Sequence, residues 1–139
     1  MKTTKLVHFA SAGLLLLSAA SLLSVSFMAF ANPQSVMDLV HVQLNNNDAF
    51  SSIRGVYGGV GLALGISLLY LMVKDAGKGL AFLCLLWGFY AASRIITIFV
   101  EGSLGDFGTQ WLITESVLFG LAAGLLVARR KRAAATVSY

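Results

Sequence analysis

The sequence predicts an all-α membrane protein, a bundle of four transmembrane helices with a short amphipathic helix in the first external loop. Hydrophobic residues make up 58% of the 139 positions and charged residues only 12%, too few to coat a soluble particle of this size. Four apolar segments are long enough to cross the hydrocarbon core as helices, which takes about 20 residues. The single cysteine, Cys84, excludes a disulfide framework, and the composition excludes a soluble enzyme or a disordered tail.

The four predicted helices form one transmembrane domain that is followed by a basic cytoplasmic tail. The helices cover residues 6–31, 49–73, 79–100 and 110–128, and the tail covers residues 129–139. Pro33 ends the first helix. Apolar residues then recur at helical spacing between Gln34 and Leu44, which predicts the short amphipathic helix at the outer interface. Asn47 or Asp48 is placed to cap the second transmembrane helix.

The distribution of basic residues predicts that both termini are cytoplasmic. With this orientation, the cytoplasmic side holds Lys2, Lys5, Lys74, Lys78, Arg129, Arg130, Lys131 and Arg132. The net charge of +4 then reflects topology, and no nucleic-acid partner is expected. The basic run after the fourth helix could contact anionic lipid headgroups, but its simpler role is a stop-transfer anchor.

The first apolar segment has two interpretations. Lys2 and Lys5 suit the n-region of a signal peptide, and Ala29-Phe30-Ala31 resembles a cleavage site. The apolar run is much longer than the roughly 7–15 residues of an ordinary signal-peptide core, which favours a retained helix. Cleavage would leave three helices and an external N-terminus.

Three ionisable residues fall inside the predicted helices, where charges are costly and mark a function or a specific pair. At about 1.5 Å per residue, Arg54 lies roughly 7–8 Å, Arg94 roughly 9 Å and Glu115 roughly 6 Å from the outer end of its helix. Because these three depths are similar, we expect the three side chains to form one polar cluster near the outer surface of the membrane. Its predicted members are Arg54, Arg94, Glu115, Glu101, Asp48 and Tyr57.

Two interpretations of this cluster remain open. Glu115 could pair with Arg54 or Arg94 as an interhelical clamp, or the arginines could snorkel to the interface. Alternatively, two arginines beside one carboxylate leave a positive excess that an anionic ligand would neutralise. If Glu115 neutralises a buried arginine, Glu115→Ala should destabilise the protein by roughly 1–3 kcal/mol or more.

Glycines at helical spacing predict close packing between helices. The packing positions are Gly55, Gly58, Gly59, Gly61, Gly65, Gly120 and Gly124. Arg54, on the same stripe of the second helix, should face the bundle interior.

The sequence contains no motif that indicates catalysis, and an enzyme is not expected. There is no nucleophile–base pair, phosphate loop or dinucleotide motif. No metal is expected, since His, Cys and carboxylates do not cluster at ligand spacing, and no cofactor is expected.

The combined pattern resembles a known family. Its elements are Asn32-Pro33, the stretch from Asn47 to Gly59 that contains Arg-Gly-Val-Tyr-Gly-Gly, a lone Arg94 and a lone Glu115. It is similar to the bacterial four-helix membrane proteins of domain-of-unknown-function family 4345 and, more remotely, to the DoxX-like group. The resemblance implies a multi-pass protein of the bacterial inner membrane without assigned chemistry. Some DoxX-like proteins are linked to redox or quinone-associated complexes, but no residue here shows a quinone site.

The function predicted from these observations is that of an accessory or interaction subunit of a membrane complex. Its expected partners are the lipid bilayer and either other membrane subunits or a second copy of the chain. The alternative is a binder or transporter of a small anionic molecule or lipid headgroup that uses the Arg/Arg/Glu cluster.

Overall fold

The protein is all-α and has four long apolar helices. The structure, a computed structural model, describes residues 2–137, and these contain no strand. The helices are α1 (Lys2–Ala31), α2 (Pro33–Asp38), α3 (Asn47–Lys74), α4 (Ala76–Val100) and α5 (Asp106–Val137). All except α2 are long and apolar enough to cross a membrane. The chain is therefore a multi-pass membrane protein, as its composition predicts.

Polar side chains define where three of the helices begin. Asn32 caps α2 by accepting a hydrogen bond from the Gln34 amide at 3.1 Å, and Pro33 occupies the first helical position, where no amide is needed. Asn46, rather than Asn47 or Asp48, caps α3, and its side chain accepts from the Ala49 amide at 2.8 Å. α4 begins at residue 76 rather than 79 because Asp75 caps it in the same way.

The first and last helices, α1 and α5, extend further than their apolar segments. α1 begins at Lys2 rather than residue 6, and α5 runs from Asp106 to Val137 rather than from 110 to 128. Hydrophobicity marks the part of a helix that lies in lipid, whereas Lys, Arg and Ala continue the same backbone hydrogen bonds in water. Most of the predicted basic tail is consequently helical. Residues 138 and 139 of that tail lie outside the described residues.

The amphipathic helix of the first loop is present but short. α2 ends at Asp38, and the turn after it places His41 in the left-handed backbone region, with φ of 59°. Gln34 holds the following loop. Its side-chain amide donates to Asp38 Oδ1 at 2.6 Å and to the Val42 carbonyl at 2.9 Å, while its Oε1 accepts from the Leu44 amide at 2.9 Å.

The helix α3 contains a segment with wider winding. Residues Arg54–Val60 are π-helical, between α-helical sections Asn47–Ile53 and Gly61–Lys74. The segment reads Arg-Gly-Val-Tyr-Gly-Gly-Val, and its three glycines lower the steric cost of the wider turn. Such π-helical segments are rare and are often found at functional sites.

The chain divides into two compact units. The first is Leu16–Tyr70, and the second contains the described residues up to Leu15 and from Leu71 onward. In the first unit, α2 packs against the end of α1 through a small apolar core. This core consists of Ala29, Val36 and Met37, with Val25, Met28, Leu44 and Ile53 around it. In the second unit, α4 packs along α5.

Candidate functional site

A bidentate ion pair joins α4 to α5 within the second unit. Arg94 Nε donates to Glu115 Oε2 at 2.7 Å, and the Arg94 terminal guanidinium nitrogen Nη2 donates to Glu115 Oε1 at 2.8 Å. The side chain of Glu115 is 2% exposed and that of Arg94 is 22% exposed. Parallel charge-assisted bonds of this length are the strongest geometry available to an arginine and a carboxylate.

The helix patterns direct both side chains into the α4–α5 contact. On α4, Leu80, Leu83, Trp87 and Ala91 form a buried stripe, and Arg94 is the next residue along it, three positions after Ala91. On α5, Glu115 lies on the same face as the buried Ala122, seven positions later. A charged residue at the end of an apolar stripe thus meets an opposite charge on the facing helix.

The ion pair makes both charges tolerable inside a membrane segment. Glu115 receives two donors on its two oxygens, and no buried side-chain nitrogen or oxygen in residues 5–135, whose side chains the structure describes, lacks a hydrogen-bond partner. The pair is neutral as a whole, which removes most of the cost of placing single charges in lipid. Because the two planar groups must align, the pair also sets the register of α4 against α5.

The other predicted members of the polar cluster have separate environments. Arg54 belongs to the first unit, where its Nε donates to the Phe30 carbonyl at 3.3 Å. Tyr57 and Asp48 are exposed on the same unit, Asp48 in the first turn of α3. Glu101 is exposed at the C-terminal cap of α4. The structure brings Arg94 and Glu115 together, and it gives Arg54 a backbone carbonyl as its partner.

Three of the predicted packing glycines hold α1 and α3 close together in the first unit. Gly58, Gly61 and Gly65 are buried. A Cβ atom at Gly58 would lie 3.1 Å from the Phe30 ring, one at Gly61 would meet the Ser26 hydroxyl, and one at Gly65 would lie 2.8 Å from the Leu23 side chain. A larger side chain at these positions would require the facing side chains of α1 to move, or the two helices to separate.

The other four predicted packing glycines take no part in packing among the described residues. A Cβ atom added at Gly55, Gly59, Gly120 or Gly124 would meet nothing within 4 Å. Gly120 and Gly124 lie on one outward face of α5, between large side chains that are at least half exposed: Ile113 at 61%, Val117 at 55% and Val127 at 50%. This outward α5 face, residues 113, 117, 120, 124 and 127, is apolar with a notch at its centre.

A basic cleft lies at the opposite end of the α4–α5 pair from the ion pair. It has a volume of about 370 Å³, and Lys78, Arg129 and Arg130 line it together with Asp75. The Lys78 amide donates to the Asp75 carboxylate at 3.1 Å, which lowers the pKa of that carboxyl below its usual value. The Lys78 ammonium, 3.5 Å from Asp75 Oδ2, acts in the same direction.

The described residues offer no cluster of three or more His, Cys, Asp or Glu side chains that could hold a metal ion.

Comparison with known families decides the identity of the chain. Residues 10–126 match the family described as Domain of unknown function (DUF4345). The chain belongs to this family. Comparison of the DUF4345 chain with curated proteins and with solved structures gives no match.

Sequence reasoning did not find two polar features of this DUF4345 protein. The basic cleft is lined by Lys78 and by Arg129 and Arg130, about 50 positions further along the chain, and no local pattern indicates that they share one surface. Gln34 belongs to the predicted amphipathic segment, and in the structure it makes three hydrogen bonds that order the loop. A lone glutamine carries no sequence signal for such a role.

Proposed function

We propose that this DUF4345 protein is a non-catalytic subunit of an inner-membrane complex, with both termini in the cytoplasm, and that a transmembrane helix of a partner subunit packs on the outward α5 face. The observation that carries the proposal is the notch at Gly120 and Gly124, which the chain's own helices leave open. Membrane helices associate through such small residues because they allow close backbone approach.

The contrast between the two sets of glycines supports this role. Gly58, Gly61 and Gly65 are occupied by α1, so the chain uses glycine contacts for its own fold. Gly120 and Gly124 have the same four-residue spacing as Gly61 and Gly65, but they meet no described atom. Branched side chains beside the notch, such as Val117 and Val127, would pack against a partner with little loss of rotamer freedom.

The state of Glu115 supports a non-catalytic role. A carboxylate that acts as a general acid or base must be able to reach a substrate proton. Both oxygens of Glu115 already accept hydrogen bonds from Arg94, and the side chain is 2% exposed. The pair therefore suits a structural clamp between α4 and α5 better than proton transfer.

Mild solubilisation at native expression level, followed by quantitative mass spectrometry, tests the proposed subunit role. We expect partner proteins to co-purify with the wild type and to be lost from the G120L/G124L variant, whose helices should stay folded because a Cβ atom at either position meets no described atom within 4 Å. Leu121→Trp, at an exposed position about 100° around α5, is the matched control and should retain the partners.

A cysteine at position 124 identifies the occupant of the outward α5 face. In a Cys84→Ser background oxidised with copper phenanthroline, a disulfide between two copies would show that the partner is a second DUF4345 chain, whereas a product of different mass formed with a cysteine-attached photocrosslinker would show another subunit. Recovery of the chain alone, or equal loss of partners in G120L/G124L and Leu121→Trp, would contradict the proposed interface.

A second candidate function is the binding of a small anionic molecule or lipid headgroup at Arg54. One observation favours this candidate. The exposed Arg54 guanidinium donates from its Nε to the Phe30 carbonyl oxygen, which has no net charge, so this partner does not neutralise the arginine. Arg54 also begins the π-helical segment of α3. Substitution by Gln should abolish binding of such an anion, whereas Lys should keep part of it because the charge is retained.

A further inference from the structure

The basic cleft at the N-terminal end of α4 is the strongest candidate for a ligand site that the subunit role does not use. Lys78 comes from the first turn of α4, and Arg129 and Arg130 come from α5, so two different elements bring three cations to one concave surface. Arg129 is half-buried, whereas Lys78 and Arg130 are exposed. A stop-transfer anchor needs only positive charge, whereas these residues form a cleft.

The charges that line the cleft do not balance. Asp75 is the only acid among the residues that line it, and it faces three cations, which gives a local charge of +2 at neutral pH. Asp75 is already engaged by the Lys78 amide at 3.1 Å and by the Lys78 ammonium at 3.5 Å. The two arginines therefore provide the positive excess, and their planar groups suit bidentate contacts with phosphate oxygens.

The size and the remaining lining of the cleft indicate the form of the ligand. The cleft has a volume of about 370 Å³ and is open rather than enclosed, which suits a headgroup at a surface better than a buried small molecule. Ala81 and Leu126 add apolar surface beside the cations. Gly77 also lines the cleft and belongs to the first turn of α4, where the helix dipole favours an anion.

The position of the cleft along the helices matches the membrane surface. The 25 residues of α4 span about 37 Å, more than the roughly 30 Å of the hydrocarbon core, so its first turn falls at the membrane surface when Arg94 lies inside the core. The cleft thus lies where α4 and α5 leave the lipid, on the side that the basic residues predict to be cytoplasmic.

We propose that the cleft between Lys78, Arg129 and Arg130 binds a phosphate group, and that a phospholipid headgroup with net negative charge supplies it. A headgroup would place its phosphate between the arginines and its glycerol region beside Ala81 and Leu126. Inorganic phosphate offers the same chemistry without the apolar part, so the two sources can be separated by experiment.

Native mass spectrometry of the full chain in mild detergent measures the binding directly. The probes are phosphatidylglycerol, phosphatidylcholine and inorganic phosphate. We expect phosphatidylglycerol to bind at least about tenfold tighter than phosphatidylcholine, because the +2 cleft opposes the choline cation. Millimolar inorganic phosphate that displaces phosphatidylglycerol would assign the soluble anion as the ligand, and a failure to displace it would assign the lipid.

Two variants of equal charge distinguish a built site from diffuse attraction. R129Q/R130Q removes two cations of the cleft and should weaken phosphatidylglycerol binding by more than about 30-fold, because each arginine provides charge-assisted hydrogen bonds. K74Q/K131Q removes two exposed lysines that do not line the cleft, and it should lose less than about fivefold.

Two results would overturn the proposal. One is equal weakening by R129Q/R130Q and K74Q/K131Q, which would show attraction to the tail as a whole. The other is equal binding of phosphatidylglycerol and phosphatidylcholine by the wild type. If circular dichroism shows that R129Q/R130Q does not fold, Lys78→Gln on the opposite helix replaces it, and unchanged binding in that variant would likewise overturn the site.

Discussion

The Arg94–Glu115 pair predicts that loss of one charged partner is much more harmful than loss of both. Glu115→Met replaces the carboxylate by an apolar side chain of similar length and leaves the Arg94 guanidinium without its acceptors. The two hydrogen bonds that are lost measure 2.7 and 2.8 Å and hold a carboxylate whose side chain is 2% exposed. The double variant R94M/E115M removes the charges together.

The magnitude follows from the geometry. A hydrogen bond to a charged group contributes about 1.5–3 kcal/mol, and removing one partner of a buried pair costs about 3–5 kcal/mol. Arg94 retains 22% exposure and lies about 9 Å from the end of α4, so it regains some hydration by snorkelling. We therefore expect Glu115→Met to lower the free energy of unfolding by about 2–4 kcal/mol.

The assay is a double-mutant cycle on the full chain in detergent micelles, with unfolding by a denaturing detergent followed by tryptophan fluorescence. R94M/E115M should unfold within about 1 kcal/mol of the wild type, because a buried ion pair can be replaced by apolar residues of similar volume at little cost. Glu101→Gln is the control for an exposed acid and should change stability by less than about 0.5 kcal/mol.

The cycle can refute the clamp in two ways. If Glu115→Met unfolds like the wild type, the carboxylate does not neutralise Arg94 in the folded protein. If the effects of Arg94→Met and Glu115→Met simply add in R94M/E115M, the two side chains do not interact energetically, whatever their distance.

Three further predictions concern other parts of the chain. Gly65→Leu should destabilise the protein by about 1–3 kcal/mol because its Cβ would lie 2.8 Å from the Leu23 side chain, whereas Gly124→Leu should cost less than about 0.5 kcal/mol in the same unfolding titration. Gln34→Ala should speed proteolysis and hydrogen exchange of the loop after α2, because it removes three hydrogen bonds, and unchanged rates would refute that role. The pKa of Asp75 is lowered in the folded chain, so its stabilising effect is present above about pH 4 and is lost as pH falls through the folded value. Asp75→Asn should therefore flatten the loss of stability as the pH falls below about 4, and an unchanged pH profile would contradict this assignment.

The local sequence was enough to predict several elements because the responsible forces act over a few residues. Four long apolar segments require helices in lipid, since unpaired backbone groups there are too costly. Asn32 and Pro33 end the first helix through cap chemistry and the missing proline amide. Family membership was recognisable from the same residues.

Helix ends and the π-helical segment were harder to predict. The apolar pattern stops at residue 128, but α5 continues to Val137 because helix propensity does not depend on lipid. The cap of α3 is Asn46, although Asn47 and Asp48 have equally suitable side chains. The winding of Arg54–Val60 depends on hydrogen-bond partners one residue further apart, which composition alone does not reveal.

The sequence by itself determined that this chain spans a membrane and that Arg94 and Glu115 are charges inside its helices, where an isolated charge is costly. Only the tertiary structure decided which partner each charge takes and which glycines are already occupied. Arg94 meets Glu115, while Gly61 and Gly65 pack on α1 and Gly120 and Gly124 remain open. Those choices depend on how distant helix faces are brought together, and helical spacing within one segment carries no information about the helix that faces it.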